Sequence, residues 1–204
     1  MAKKISTEEK ILLSAQKVFH NKGFAGTRMQ EIADVAGINK GLLHYYFKTK
    51  EKLFERVFTI ALKQMLGKLN DALDKDTDLF SKIRLLVDNY ILVLSKNRFI
   101  PIFIFQEINR NPAFFDEKYK FYSKLGVIKK FEKEIKSEIE KGNIIDISPK
   151  QLIINIISMS IFPFMAKPMA KSILDISESE FSAIIDERRK LVAEFTINAI
   201  KVKN

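Results

Sequence analysis

Apolar residues recur every three or four positions along most of the chain, which is the spacing of one face of an α-helix. The first such face is formed by Ile11, Leu12, Ala15, Val18 and Phe19. Later segments repeat the pattern toward the C-terminal end. The chain is therefore predicted to be all-α, with about nine helices.

Polar residues and glycines mark where these helices begin and end. Ser6 followed by Glu9 is a capping box, and Thr27 followed by Gln30 is interpreted as a second one. Ser148 followed by Gln151 is interpreted as a third capping box, with Pro149 at the first helical position. The other predicted boundaries are N-caps at Asn39 and Thr49, a helix start near Ser177, and helix ends at Gly23, Gly37 and Gly142.

Three stretches in the middle of the chain are interpreted from their turn and cap residues. The acidic run 74–78 is predicted to join two helices. Residues 99–105 have the composition of a strand, but Pro101 and the helical surroundings favour a short buried helix. Asn111 and Pro112 pair an N-cap with a proline at the first helical position, which predicts one long helix toward Lys141.

The segment from Thr27 to Phe47 carries the most informative pattern. Two short helices are joined there by a tight turn at Gly37, which is the helix-turn-helix arrangement. The outward positions of its second helix are Lys40, Gly41, Leu42, His44 and Tyr45. Such a helix can enter the major groove of DNA and read base edges. In the alternative interpretation, the aromatic residues pack on neighbouring helices and the lysine belongs to an ordinary solvated surface.

The charge distribution favours DNA binding. The 204 residues carry a formal net charge of +10, and +7 of it falls in residues 1–70. A basic region is attracted to polyanions such as nucleic acid or an anionic membrane. The absence of cysteine excludes disulfides, thiolate zinc sites and a cysteine nucleophile, and two histidines give little support to a metal site. No cofactor is expected, and an enzyme is a weak alternative.

No export signal or membrane span is expected from the sequence. Glu8, Glu9 and Lys10 interrupt the apolar stretch that a secretory signal requires. The longest uncharged run, 151–166, is shorter than the ~20 residues of a membrane-spanning helix. A cytoplasmic location is the corresponding expectation.

A set of positions within residues 6–54 points to a known family. The set comprises Phe19, Gly23, Phe24, Thr27, Ile32, Ala33, Ala36, Gly37, Ile38, Lys40, Gly41, Leu42, Leu43, Phe47, Lys50 and Leu53. It resembles the DNA-binding domain of the TetR/AcrR family of bacterial transcriptional regulators. The resemblance implies a helix-turn-helix domain over residues 1–50, a linking fourth helix over 50–71, and a helical ligand-binding and dimerisation domain over 72–204.

The resemblance also implies roles for individual residues at the DNA. Thr27 and Arg28 are expected to touch a phosphate at the start of the second helix, and Tyr46, Lys48 and Lys50 are expected to contact backbone phosphates. The five outward residues named above are expected in or beside the major groove. His44 departs from the family, which usually has tyrosine there, and it introduces a group that titrates near neutral pH.

Residues 152–165 are apolar almost all round and must be covered on all sides. They form either a central core helix or a helix shared between the core and a partner chain. The resembled family pairs its last two helices across a two-fold axis. That arrangement fits residues 150–170 and 179–201 and implies a homodimer on a roughly palindromic operator. The candidate interface residues are Ile157, Phe164, Ile184, Arg188, Leu191 and Phe195.

The 17 phenylalanines, several of them between residues 99 and 121, indicate an aromatic interior. This interior is either core alone or the lining of a cavity for a small apolar molecule. The candidate ligand-binding residues are Phe103, Gln106, Asn109, Phe121, Tyr122, Asn155, Met159 and Phe162. The resemblance implies that a ligand bound there changes the spacing of the two DNA-binding domains.

These features predict a dimeric, sequence-specific DNA-binding regulator, and more narrowly a repressor that a small apolar ligand releases. The alternative is a basic helical protein that binds a membrane surface or a partner without reading DNA sequence.

Overall fold

The computed structural model describes residues 5–96, 99–113 and 126–202, and these ranges are helical almost throughout. The all-α prediction is confirmed. The helices are α1 (Thr7–Gly26), α2 (Met29–Ala36), α3 (Lys40–Tyr46), α4 (Lys50–Leu73), α5 (Leu79–Lys96), α6 (Phe99–Arg110), α7 (Val127–Glu140), α8 (Pro149–Met165), α9 (Lys167–Leu174) and α10 (Glu178–Ile200).

Most of the predicted helix starts are confirmed by their hydrogen bonds. Ser6 and Glu9 form a reciprocal capping box at α1, in which Ser6 Oγ accepts from the Glu9 N–H at 3.1 Å. Asn39 Oδ1 accepts from a backbone N–H in the first turn of α3 at 2.7 Å. Thr49 caps α4 in the same way, and Ser177 opens α10 with a second capping box. Each cap satisfies N–H groups that have no partner within the helix.

The capping box predicted at Thr27 is wrong. The N-cap of α2 is Arg28, and its side chain makes no cap hydrogen bond. The Thr27 hydroxyl instead donates to the Gly23 carbonyl at 2.7 Å, because the end of α1 leaves that acceptor free. Ser148 likewise precedes Pro149 at the start of α8 without a side-chain cap bond.

The long helix predicted from Asn111 toward Lys141 is also wrong as a single element. Gly126 has a φ of 66° and precedes α7, which begins at Val127. A positive φ ends regular helix geometry, so α7 is a separate helix. Its end before Gly142, which has a φ of 72°, agrees with the prediction.

The short helix α9 has no counterpart in the sequence predictions. It follows α8 after Ala166, and the two helix axes are bent by 81°. Pro168 lies in its first turn, where the missing N–H costs nothing. The bend lets α10 return alongside α8.

The core has α5 at its centre, packed against α4, α7, α8 and α10. A cluster of phenylalanine rings continues this core toward the N-terminal helices. Phe54 of α4 meets Phe19 of α1 at a centroid distance of 5.0 Å and Phe103 of α6 at 5.6 Å. Phe58 lies 5.9 Å from Phe103. These rings join α1, α4 and α6 in one packed unit.

Candidate DNA-binding interface

The turn between α2 and α3 fixes the angle of the helix-turn-helix. Gly37 has φ 60° and ψ 41°, a left-handed conformation that is costly for residues with a Cβ. The Ile38 N–H donates to the Ala33 carbonyl at 3.0 Å and closes the end of α2. Ile32, Ala33 and Leu43 are fully buried between the helices. The predicted helix-turn-helix is therefore present.

The outer surface of α3 combines a cation with aromatic rings. Tyr45 is 81% exposed, and its ring meets the exposed Tyr46 ring edge to face at a centroid distance of 5.6 Å. Lys40, Gly41 and Leu42 are exposed at the start of the helix. The side chains of these residues, which were predicted to face outward, are therefore accessible to a DNA groove.

His44 lies on the same helix but is only half-exposed. Its Nδ1 is 3.3 Å from the carbonyl oxygen of Lys48. With the proton on Nδ1, the ring donates to that carbonyl and leaves Nε2 for another partner. The role of His44 beside the groove stays a prediction.

Two of the five predicted phosphate contacts are directed into the protein. Thr27 is 2% exposed, and its hydroxyl is engaged by Gly23. The Lys50 ammonium donates to the carbonyls of Phe24 at 2.9 Å and Thr27 at 3.1 Å. The Thr27 hydroxyl is therefore not available to a phosphate, whereas the Lys50 ammonium has a third N–H and its phosphate contact stays a prediction. Arg28, Tyr46 and Lys48 are exposed and remain predicted contacts.

Acidic side chains also lie close to this surface. Hydrogen bonds from its own backbone N–H and from the Thr49 hydroxyl lower the pKa of Glu51, so this carboxylate is charged at neutral pH. Glu31 of α2 pairs with Lys22 at 2.6 Å. Lys22 is therefore one cation of the N-terminal region that already has an acidic partner.

Comparison with known proteins identifies the family. The sequence pattern described as "Bacterial regulatory proteins, tetR family" matches residues 11–57. The Bacillus subtilis (strain 168) protein named Uncharacterized HTH-type transcriptional regulator YhgD is 31% identical over 142 residues, which are 68% of this chain and 70% of YhgD. The chain belongs to the TetR family. It is accordingly a DNA-binding transcriptional regulator.

Two further proteins extend the comparison. The Pseudomonas putida repressor NicS is 34% identical over 90 residues, which are 42% of each chain. The fatty acid degradation regulator FadR from Bacillus halodurans has a solved structure with a TM-score of 0.63 and 18% identity. The superposition covers 94% of this chain and 96% of that one and shows a shared fold.

The predicted ligand-binding residues of this TetR-family chain do not share one cavity. Phe103 is buried in the phenylalanine cluster. Gln106 and Asn109 line a polar cleft between α1 and α6. Asn155 and Met159 line a groove between α8 and α10. The remaining three are Phe162, which is exposed, and Phe121 and Tyr122, which lie outside the described residues.

A different cavity, of about 430 Å³, lies where α5, α6, α8, α9 and α10 meet the end of α1. Its apolar walls are Ile102, Phe164, Phe181 and Ile185, and its polar groups include His20, Ser95, Lys167, Ser182 and Asp186. Burial lowers the pKa of His20. This cavity could not be predicted from the sequence, because its lining residues come from six helices, each of which contributes only one to four of them.

The polar cleft beside this cavity contains a buried carboxylate. Glu107 is 6% exposed, and its carboxylate lies 3.5 Å from the Arg110 guanidinium. Burial raises the pKa of Glu107, while Arg110 opposes the increase. A methyl group at Gly23 would lie 3.3 Å from Arg110, so this guanidinium sits directly against the end of α1.

The predicted dimer residues divide into exposed and internal ones. Phe195 is 64% exposed and Leu191 is 53% exposed, while Ile157 and Ile184 are half-buried. Phe164 is buried inside the chain and lines the cavity, so its assignment to an interface is corrected.

Arg188 ties two helices of the same chain together. Its guanidinium donates to the Met159 carbonyl at 2.7 Å, which links α10 to α8, and burial lowers the pKa of Arg188. Ile154 and Phe162 of α8 are exposed apolar residues that the interface prediction left out.

Two further features concern a membrane span and a metal site. No single helix in residues 5–96, 99–113 and 126–202 is long and apolar enough to cross a membrane; α8 and α9 reach that length and apolarity only when taken together, and they are bent by 81°. Within the same ranges, no three His, Asp or Glu side chains are grouped so that they could hold a metal ion.

Proposed function

We propose that this TetR-family regulator is a homodimeric repressor that a small, largely apolar molecule releases from its operator. The observation that carries the proposal is the position of α6. This helix lines the cavity through Ile102 and packs on the N-terminal helices through Phe103 and Arg110. Occupation of the cavity and the orientation of the DNA-binding helices are therefore linked through one element.

The DNA-reading part of the proposal rests on α3. Its exposed Lys40, Gly41, Leu42 and Tyr45 are the groups that would enter a major groove, with Arg28, Tyr46 and Lys48 beside the phosphates. The concentration of positive charge in residues 1–70 would attract the duplex. We propose the division expected from the sequence, with residues 1–50 binding DNA, α4 linking, and residues 72–204 sensing and dimerising.

The effector would be a molecule with a large apolar part and a polar or anionic group. The cavity volume of about 430 Å³ falls in the range of ligand pockets, roughly 300–1,000 Å³. Two phenylalanine and two isoleucine side chains form its apolar wall. The Lys167 ammonium lies at the same site, where it pairs with Glu178 and sits 5.2 Å from the Phe181 ring centroid.

Release requires that the effector prefer the conformer that fits DNA poorly. A coupling free energy of ~1–3 kcal/mol would change operator affinity ~5–150-fold. An effector that widens the cavity would move α6, and α6 contacts both α1 and α4. The two copies of α3 in a dimer would then lose the separation that the operator half-sites require.

The dimer would form through the exposed apolar side chains of α8 and α10. Ile154 and Phe162 lie on α8, and Leu191 and Phe195 lie on α10. Large apolar groups left in water favour association. A two-fold axis would pair each helix with its copy and place both α3 helices toward one duplex.

Selection of binding sites from a random duplex library tests the DNA-reading part. The expected result is one enriched, roughly palindromic sequence whose affinity falls steeply with salt concentration. Equal affinity for the enriched duplex, a random duplex and anionic vesicles would instead support the membrane-surface alternative.

An effector screen tests the cavity. Straight-chain carboxylic acids of graded length are the first probes, because they match apolar walls with one nearby ammonium group. A hit should raise the melting temperature and release the selected duplex. Ile102→Trp should fill the cavity and abolish release while leaving duplex binding intact. Release that persists in this variant would place the effector elsewhere.

A further inference from the structure

Glu107 of α6 carries a buried carboxylate that lines the polar cleft between α1 and α6. The residue is 6% exposed, and the cleft has a volume of about 620 Å³. Among the described residues its one ion pair is with Arg110, whose Nη1 lies 3.5 Å from Glu107 Oε1. This distance exceeds the ~2.7–2.9 Å of a charge-assisted hydrogen bond, and a carboxylate has about four acceptor positions. Glu107 therefore retains acceptor capacity beside a space large enough for a small molecule.

The Arg110 guanidinium is the second group of the cleft that can bind a further partner. Its side chain is 53% exposed, and the closest contact with Glu107 is made by Nη1. A guanidinium carries five N–H donors in a planar fork that matches the geometry of a carboxylate. Arg110 can therefore bind a carboxylate in the cleft through its other nitrogens while it stays beside Glu107.

The other titratable groups among the described residues of the cleft add no net charge. Lys22 Nζ pairs with Glu31 at 2.6 Å. Burial lowers the pKa of His20 from its ordinary value of 6.5, so its imidazole is neutral at pH 7. A ligand with only a positive charge would bind Glu107 next to the cationic Arg110, and a ligand with only a negative charge would bind Arg110 next to the anionic Glu107. Like charges at such short distances repel each other, so a ligand that carries both charges fits the cleft best.

We propose that the polar cleft binds a zwitterionic α-amino acid with a polar side chain. The ligand's ammonium donates to Glu107 and its carboxylate accepts from Arg110. A single carbon atom separates these two ligand groups, which suits protein groups that lie 3.5 Å apart. The amides of Asn21, Gln106 and Asn109 line the same cleft and match a polar ligand side chain. The site lies beside the effector cavity and does not depend on the proposed repressor function.

Calorimetric titration of the whole chain at pH 7 tests the site without DNA. The probes are L-serine, L-threonine, L-asparagine and L-glutamine, and at least one of them should bind saturably. Its methyl ester lacks the carboxylate charge, and its 2-hydroxy acid analogue lacks the ammonium. Each analogue should bind the wild-type protein at least roughly tenfold more weakly than the amino acid, because a hydrogen bond between charged groups is lost.

Two substitutions match the ligand's charged groups to their partners. Glu107→Gln should bind the amino acid roughly tenfold more weakly and should distinguish it much less from the hydroxy acid. Arg110→Gln should show a similar loss and should distinguish the amino acid much less from the methyl ester. Glu140→Gln and Arg56→Gln are the matched controls, because both remove an exposed charge on another helix, and they should bind like the wild type.

Hydrogen exchange in the wild-type protein locates the site even if a cleft variant does not fold. The bound amino acid should slow exchange over residues 20–24 and 106–110 and leave α10 unchanged. The inference would be overturned if none of these amino acids bound saturably, if the ester and the hydroxy acid bound as tightly as the amino acid, or if both cleft variants kept wild-type affinity. Because these measurements contain no DNA, such a failure would be distinct from a failure of the proposed DNA-binding function.

Discussion

Two glycines in the N-terminal half give opposite predictions for the same substitution. Gly37 has a φ of 60°, so Gly37→Ala should destabilise the protein by about 1 kcal/mol through backbone strain. Gly67 lies within α4, and a Cβ there meets no heavy atom within 4 Å. Gly67→Ala should stabilise the protein by about 0.5–1 kcal/mol. Urea unfolding followed by circular dichroism measures both, and equal signs would contradict this account.

Tyr45 and Leu43 are neighbours on α3 with opposite environments. Tyr45 is exposed, so Tyr45→Ala should weaken operator binding by about 1–3 kcal/mol with little change in melting temperature. Leu43 is fully buried, so Leu43→Ala should cost about 2–5 kcal/mol of unfolding free energy. Fluorescence polarisation and thermal unfolding separate the two effects. A large loss of stability in Tyr45→Ala would show that its ring is part of the packing.

At the scale of whole helices, local sequence signals predicted where a helix starts more accurately than how long it is. Ser6 and Ser177 act as caps because each hydroxyl lies within reach of the third backbone N–H of the helix that follows it. Thr27 did not, because the kink at Gly23 offers its hydroxyl a carbonyl that no sequence pattern reveals. The end of α7 was predicted from Gly142, but its start at Gly126 was overlooked inside an apparently continuous helical period.

The contact between α6 and α1 should make stability depend on pH. Burial raises the pKa of Glu107 above its ordinary value of 4.5 in the folded chain. The folded state therefore holds this proton more tightly than the unfolded state, and the stability that Glu107 contributes below pH 4.5 is lost as the pH rises through its folded pKa. Glu107→Gln cannot ionise, so it should be more stable than wild type at pH 7.

Urea unfolding of both proteins from pH 4 to pH 8 checks this expectation. The stability difference should vanish below about pH 4.5, where wild-type Glu107 is protonated in both states. Glu140→Gln is the matched control, because it makes the same substitution at an exposed position. A variant less stable than wild type at pH 7 would mean that the pairing with Arg110 outweighs burial.

For the molecule as a whole, the sequence predicted the DNA-reading part far better than the sensing part. The helix-turn-helix lies within 21 consecutive residues, so its period and its glycine turn appear together in the sequence. The cavity takes single side chains such as His20, Ser95 and Ile102 from helices far apart in the chain. Phe164 illustrates why the sensing part is hard to predict. It belongs to a helix that is apolar almost all round, and such a sequence does not indicate which side of the helix faces a cavity and which faces a partner.

The proposed dimer makes the last prediction. Phe195 is 64% exposed on α10 although it is a large apolar residue, and Leu191 lies one turn earlier on the same face. Water around these rings and side chains would be released when a second copy covers them. A glutamate at position 195 would remain solvated in the isolated chain but would be buried without a partner in the dimer, which is costly. Phe195→Glu should therefore fold normally and lose the dimer.

Sedimentation at matched concentrations should show the mass of two chains for wild type and of one chain for Phe195→Glu, with unchanged circular dichroism. Operator affinity should fall because a single chain can occupy only one half-site, whereas affinity for an isolated half-site should stay the same. Leu13→Glu is the control, since Leu13 is an exposed apolar residue on α1, away from the proposed interface. It should remain dimeric. A folded Phe195→Glu protein with the mass of two chains would place the dimer interface on another surface, and the half-site measurement would then have to be repeated with substitutions there.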